Sequence, residues 1–338
     1  MKPTGLERTL SFINGDSTDR PPFHPILMRF AAKYCGVNYR DFCLNYQDKC
    51  AVNLKCAKDF SYDWVNVMSD PYAEASAFGT VISYPLDSLP TVDSLLIKDI
   101  NDIGKLNTVK LEDHARLVAR IDELKNYQKL VGDSQFICGW IEGPLAEYCD
   151  LRDVSAACLD FYEHPVELRR ALDMITESAM KFLEAQVSAG AHCIGIGDAV
   201  CSLISPELYL EYVFPLEKAM VDRAHQLGAK VKLHICGNTT AILPDMIRTG
   251  ADIIDIDHLV EKMEDFIPLL SASQVVSGNS DPVSVIQYGT HEQLAASVES
   301  CFHLTAGKGI VSAGCEITPG TTVERMLDYS IIARNPRQ

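Results

Sequence analysis

Apolar positions along this chain switch between a spacing of two and a spacing of three to four, and the switches mark out alternating strands and helices. Residues 5–14 carry the pattern of a short helix ending near Asn14-Gly15, and PFHPILMRF (22–30) reads as a first strand. A helix follows over 40–60, with Phe42, Leu44, Cys50, Ala51 and Leu54 on its apolar face, and DWVNVMSD (63–70) is a second strand. Pro71, Pro85 and Pro90 break up residues 71–110 into a long excursion over one end of the fold. RLVARIDEL (116–124) is the heart of an amphipathic helix, and QFICGWIEGP (135–144) is strand then loop. Helices at 145–160 and 165–189 lead to the strand AHCIGIGDA (191–199). Thereafter strands at 230–237, 251–257, 274–281 and 309–317 are separated by helices at 239–249, 259–270 and 290–306, with another helix at 206–228. Pro at helix starts and Gly at helix ends support these limits.

About eight strands, each followed by helical sequence, predict a parallel α/β sheet. A closed (β/α)₈ TIM barrel is the best candidate, as one domain over residues 1–338 with an N-terminal helical extension and a long loop after the second strand. An open doubly wound sheet is the alternative, but it would normally show G-x-G-x-x-G after the first strand, and none stands there.

The formal charge of −16 argues against a nucleic-acid partner. No apolar run reaches the roughly 18 residues that span a bilayer, so no membrane partner is expected. MKPTGLERTLSFINGDSTDRPP lacks the apolar core of a signal peptide, and a cytoplasmic location is expected. The 12 cysteines then read as thiols, most of them small buried hydrophobes such as Cys43, Cys50 and Cys56.

Reading only the C-terminal ends of the strands, where a barrel carries its active site, gives Asp70, Glu142, Asp198, His234, Cys236, Asp257, Asn279, Asp281 and Cys315. In KLHICGN, His234 and Cys236 are two apart on a strand and project from one face. With Cys315 from SAGCEITPGT they supply one imidazole and two thiolates, the donors of a catalytic zinc site with an open fourth position. Glu142, before the turn at Gly143-Pro144, is a candidate for that fourth position until substrate displaces it, and for a catalytic role. Asp198 and Asn279 are the other catalytic candidates, and Asn279 offers both donor and acceptor. Asp70, Asp257 and Asp281 could equally be helix caps. Tyr72, Phe78, Trp140 and Tyr148 are candidates to line an aromatic substrate pocket, against a plain packing role for each; Asp70 joins the substrate-binding set. His24 could face the mouth from the first strand.

DRPPFHPILMRFAAKY, GWIEGPLAEYCDLRD, IGIGDA, KLHICGN, VVSGNSDP and GCEITPGT, in that order, resemble the uroporphyrinogen decarboxylase superfamily nearly end to end. The His-x-Cys and distant Cys resemble its zinc-dependent, corrinoid-linked methyltransferase branch. The decarboxylase branch resembles M-R-Q-A-G-R-Y-L after its first strand; here MRFAAKYC keeps Arg29, a substrate-binding candidate, but has Lys33 at the second arginine position and Ala32 for the glycine. The resemblance implies a barrel that docks on a corrinoid-binding protein and passes a methyl group between its cobalt and a small donor or acceptor at zinc. GCEITPGT and EGPLAEYCDLRD look more like O-demethylase methyltransferases, implying a methoxylated, aromatic donor. Transfer from a methylcorrinoid to a thiol such as coenzyme M, or to tetrahydrofolate, is the alternative. A metal-independent decarboxylase and a non-catalytic binding protein on the same fold complete the set.

Overall fold

The computed structural model describes residues 2–335. Its strands are β1 (Trp64–Asn66), a hairpin of β2 (Val81–Ser83) and β3 (Thr91–Ser94), then β4 (Phe136–Glu142), β5 (Cys193–Gly197), β6 (Lys230–Ile235), β7 (Ile253–Ile256), β8 (Val275–Ser280) and β9 (Gly309–Ala313). Seven of them form a parallel sheet in the order β1-β4-β5-β6-β7-β8-β9. Each follows its neighbour in sequence apart from the antiparallel hairpin β2-β3, so the sheet winds in one direction. Helices between the strands pack on its outside, as crossovers of parallel strands must.

The eighth stave is the segment around Phe23. The amide of His24 donates to Val311 O at 3.0 Å and the amide of Val311 to Pro22 O at 2.9 Å. On the other side the amide of Asp63, just before β1, donates to Phe23 O at 2.9 Å. The ring closes through these bonds, and the barrel rather than the open sheet is the fold. The strand expected over 22–30 is reduced to an isolated bridge between Phe23 and Val311. Pro21, Pro22 and Pro25 have no N–H to give a ladder, and helix Arg29–Cys35 begins inside the expected span.

Other limits also moved. The 40–60 helix is two, Tyr39–Leu44 and Tyr46–Phe60, because Asn45 caps the second. The 71–110 excursion contains helix Tyr72–Phe78 and the hairpin. The helix expected over 259–270 is only two 3₁₀ turns, Met263–Asp265 and Ile267–Leu269. Helix Val323–Ala333, missed in the sequence, covers the closing stave from outside, where Tyr329 meets Phe23 edge-on at 5.1 Å.

Strand alternation sorts the interior into layers. At the bottom, Trp64, Phe136, Cys138, Cys193, Ile253, Val275 and Ile310 form one apolar cluster with Phe12 and Ile13 of helix Gly5–Ile13. That helix plugs the barrel. Thr9 accepts from the Trp64 indole at 2.9 Å, and Gly5 lies so close to Asp63 that a Cβ would come within 2.5 Å of its carbonyl oxygen. Above this floor the inward residues turn polar: Lys232, Asp255, Ser277 and Ser312, all almost fully buried.

Candidate metal centre

β6 points Lys232, then His234, then Cys236 inward, in ascending order. Gly237 follows in the left-handed region at φ +89°, which a residue with a Cβ rarely adopts, and its N–H donates to Asp257 Oδ2 at 2.9 Å. This turn fixes where Cys236 ends. Cys315 arrives from β9 through Gly314, whose Cβ, if present, would lie 2.4 Å from His258 N. Only glycine lets the two loops cross that closely.

The three candidate ligands meet. His234 Nε2 is 2.9 Å from Cys236 Sγ, and Cys236 Sγ is 3.8 Å from Cys315 Sγ. A tetrahedral zinc with Zn–S bonds of about 2.3 Å separates its two sulfurs by roughly 3.8 Å, so the thiols already have the required spacing. The His234–Cys236 pair must open by about half an ångström to reach zinc's N–S separation. His234 Nδ1 faces Asp255 Oδ2 at 2.7 Å, and Lys232 Nζ reaches the same oxygen at 3.0 Å. A carboxylate on Nδ1 selects the tautomer that offers Nε2 to a metal. The residues present fit a zinc ion.

These groups are electrostatically coupled, and a metal on Nε2 would have to displace a proton from His234. Burial would raise Asp255, but Lys232 and His234 outweigh it and hold this carboxyl well below the ordinary range. Burial lowers His234, yet Asp255 and the Cys315 sulfur reverse this and bring it to about 9. The bond shared with Cys236, together with His234, brings Cys315 down to about 4 against its burial. The same bond pushes Cys236 upward. One thiol is therefore ready to be a thiolate, the form that binds metal.

Beside Cys315, the Arg29 backbone N–H donates to Glu316 Oε1 at 2.8 Å and its guanidinium pairs with Glu316 Oε2 at 3.1 Å. A groove of about 810 Å³ lined by Arg29, Lys33, Tyr39, Leu89 and Pro319 runs alongside. Arg29 is thus near the mouth, but already paired.

The other expected site residues separate. Glu142 ends β4 and accepts from the Trp140 indole at 2.9 Å; its carboxylate is not among the donors gathered with His234. Trp140 lies inside the barrel, its ring centroid 6.3 Å from that of His234. Asp198 is fully buried and caps helix Pro144–Arg152, accepting from Ala146 N at 2.7 Å. Asn279 is turned to helix His291–Leu304, where its Oδ1 accepts from the Cys301 thiol at 2.8 Å. Asp70 is buried and pairs with Arg116 at 2.7 Å. Tyr148 is wholly buried and donates to Asp160 at 2.6 Å. Phe78 lines a narrow cavity with Glu74, Glu142 and Glu147, while Tyr72 lines a surface groove with Lys98 and Asp150. Asp281 caps the turn after β8. His24 is buried on Trp64 at 4.4 Å, low in the barrel rather than at its mouth. The four rings pack on one core but share no described cavity: Tyr72 and Phe78 line separate ones, Trp140 lies beside His234, and Tyr148 is wholly buried.

Lys232 and Asp255 were not among the residues expected. Their signal was present: ionisable side chains at inward positions of buried parallel strands, which otherwise read as apolar runs.

The uroporphyrinogen decarboxylase (URO-D) family model matches residues 4–330. The chain belongs to this family. Within it, the chain is 32% identical over 275 residues to the methylcobamide:CoM methyltransferase MtbA of Methanosarcina mazei, covering 79% of each. It is 25% identical over 338 residues to a uroporphyrinogen decarboxylase of Prochlorococcus marinus, covering 94% of this chain and 95% of that one. Among solved structures, a methyltransferase from Methanosarcina mazei superposes with a TM-score of 0.88 at 20% identity, covering 98% of each chain, which shows the shared fold of this URO-D member.

Proposed function

We propose that this URO-D family protein is a zinc-dependent enzyme that moves a methyl group between a corrinoid, carried by a separate corrinoid-binding protein, and a small substrate at the metal centre. The observation that carries the reading is the convergence of His234, Cys236 and Cys315 at one end of a barrel whose other end is plugged. Zinc on these residues would supply a thiol acidified enough to react as thiolate at neutral pH.

The chain's own residues favour a thiol as the acceptor. Two cysteine thiolates and a neutral imidazole cancel the charge of a divalent ion, which weakens it as a Lewis acid toward an ether oxygen and leaves a bound sulfur electron-rich. Asp255 adds electron density through His234. The resemblance to coenzyme M methyltransferases points the same way. A methoxylated aromatic donor is the second reading, supported by the motifs GCEITPGT and EGPLAEYCDLRD. Trp140 is the one aromatic of the expected pocket close to His234. The decarboxylase reading is disfavoured by the cations near the mouth: Arg29 is paired with Glu316, and Lys33 donates to Pro319 O at 2.9 Å.

The test is methyl transfer with zinc-loaded protein and a corrinoid protein, offering coenzyme M or another small thiol as acceptor of the methylated corrinoid, and methoxyarenes as donors to the reduced one. Thiol methylation that disappears in Cys236→Ala and Cys315→Ala is expected. Transfer from methoxyarenes alone would replace the thiol reading with the second. Full activity in both cysteine variants would end the zinc mechanism.

A further inference from the structure

The polar layer beneath the metal centre contains a lysine that the chemistry above does not use. Lys232 is 1% exposed, deep in the barrel. Among the described residues its one ionic partner is Asp255, at 3.0 Å, and its ammonium group has no hydrogen-bond acceptor in good geometry. The Trp64 ring also lies nearby, with Nζ 5.9 Å from its centroid. Taking two such charges out of water costs several kcal/mol per ion, and apolar residues of similar size often do as well or better for stability. Stability alone therefore gives no reason for the pair to be there.

Position gives one. Asp255 stands level with His234 across the β6–β7 ladder, while Lys232 stands one inward step lower on the strand that carries His234. Both side chains reach the same carboxylate oxygen, Oδ2, His234 from the side at 2.7 Å and Lys232 from below at 3.0 Å. A second cation on Oδ2 favours the rotamer that keeps this oxygen turned toward the His234 side of the strand pair. That orientation determines which imidazole nitrogen faces the thiols.

We propose that Lys232 is a positioning residue of the metal centre, holding Asp255 against Nδ1 of His234 so that Nε2 is directed at Cys236 and Cys315. The inference rests on the zinc reading and extends it by one residue that touches neither metal nor substrate. Lysine also balances the assembly: two thiolates against a divalent ion, and Asp255 against Lys232, leave the buried site without net charge.

The test is zinc affinity, measured by competition with a chromophoric chelator, for the wild type, Lys232→Met, Asp255→Asn and the double variant. Second-layer partners of a ligating histidine are commonly worth about 10–100-fold in metal affinity, and a loss in that range is expected for Lys232→Met. The double variant should bind no more weakly than Asp255→Asn alone, because a residue acting only through Asp255 loses its effect when Asp255 is gone. A merely structural lysine would lower the melting temperature and leave affinity untouched. That result, or additive losses in the double variant, overturns the proposal. If Lys232→Met does not fold, the double variant, which leaves no buried charge behind, is compared with Asp255→Asn on the same criterion. Failure of the wild type itself to bind zinc would instead reject the metal reading on which all of this stands.

Discussion

Glu142 and His234 stand in one layer of the barrel, two strands apart, with Gly197 in register between them. The absent side chain is what makes the layer possible. A Cβ on Gly197 would lie 2.6 Å from Trp140 Cζ2, and one on Gly195 would lie 2.3 Å from Trp140 Cε3. The indole fills the space two glycines vacate and places its N–H on Glu142. Gly197→Ala is expected to displace the ring and to cost about 1–3 kcal/mol by overpacking. Urea unfolding of the variant checks this, and wild-type stability would show that the indole has room to move.

Asp198→Ala separates a cap from a catalytic group. The carboxylate accepts from Ala146 N at 2.7 Å and lies 3.5 Å from Leu145 N at the start of helix Pro144–Arg152. Leaving those donors unmet should cost about 1–3 kcal/mol. The kcat of the molecules that remain folded should be that of the wild type. A large fall in kcat with unchanged stability would restore Asp198 to the chemistry.

Tyr148→Phe makes the same distinction for a residue expected at the substrate. Its hydroxyl donates to Asp160, which Arg152 also holds at 2.9 Å. The variant should lose about 1 kcal/mol of stability. KM for the small substrate should not change, because the ring lies in the core. A raised KM at wild-type stability would contradict that placement.

Acid–base behaviour outside the metal centre gives another expectation. Burial, with Glu74 and Asp70 nearby, pushes the Asp150 carboxyl from 3.8 up to about 8. The fold thus favours its protonated form. Stability from this group is fully present below the unfolded value and is lost as pH rises toward the folded one. Asp150→Asn mimics the protonated state, so its melting temperature should exceed that of the wild type by a margin that widens from about pH 5 to about pH 8. A margin that stays constant with pH would show that Asp150 titrates as an ordinary carboxylate.

The cluster of candidate metal ligands was legible because two of its members share a strand. A spacing of two on a strand is a statement about direction, and it sets Val231, Leu233 and Ile235 on the opposite face. The barrel was legible for the same reason, repeated strand after strand. What the residues could not convey was the pairing across strands. Whether Asp198 meets solvent or a helix terminus depends on where the turn after β4 lies, and that is set by Gly143, where a Cβ would strike the Asp198 carboxylate at 2.4 Å. Asn279 was placed at the mouth by its position after a strand, but the backbone at Gly278 runs at φ +124° and the side chain goes to Cys301. Lys232 was hidden by its type. Lysine in a strand normally signals a solvent face, and only the register that sets Asp255 beside His234 gives this one a counter-charge.

The plug formed by Phe12 and Ile13 at the foot of the barrel has a kinetic consequence. With that end sealed, the small substrate and the corrinoid protein of the proposed reaction would share one door. A corrinoid protein seated over the mouth would close the way behind it, so in the proposed reaction the small substrate would enter first and its product would wait for the protein to leave. Steady-state inhibition patterns should therefore be those of a compulsory order, with the small substrate leading.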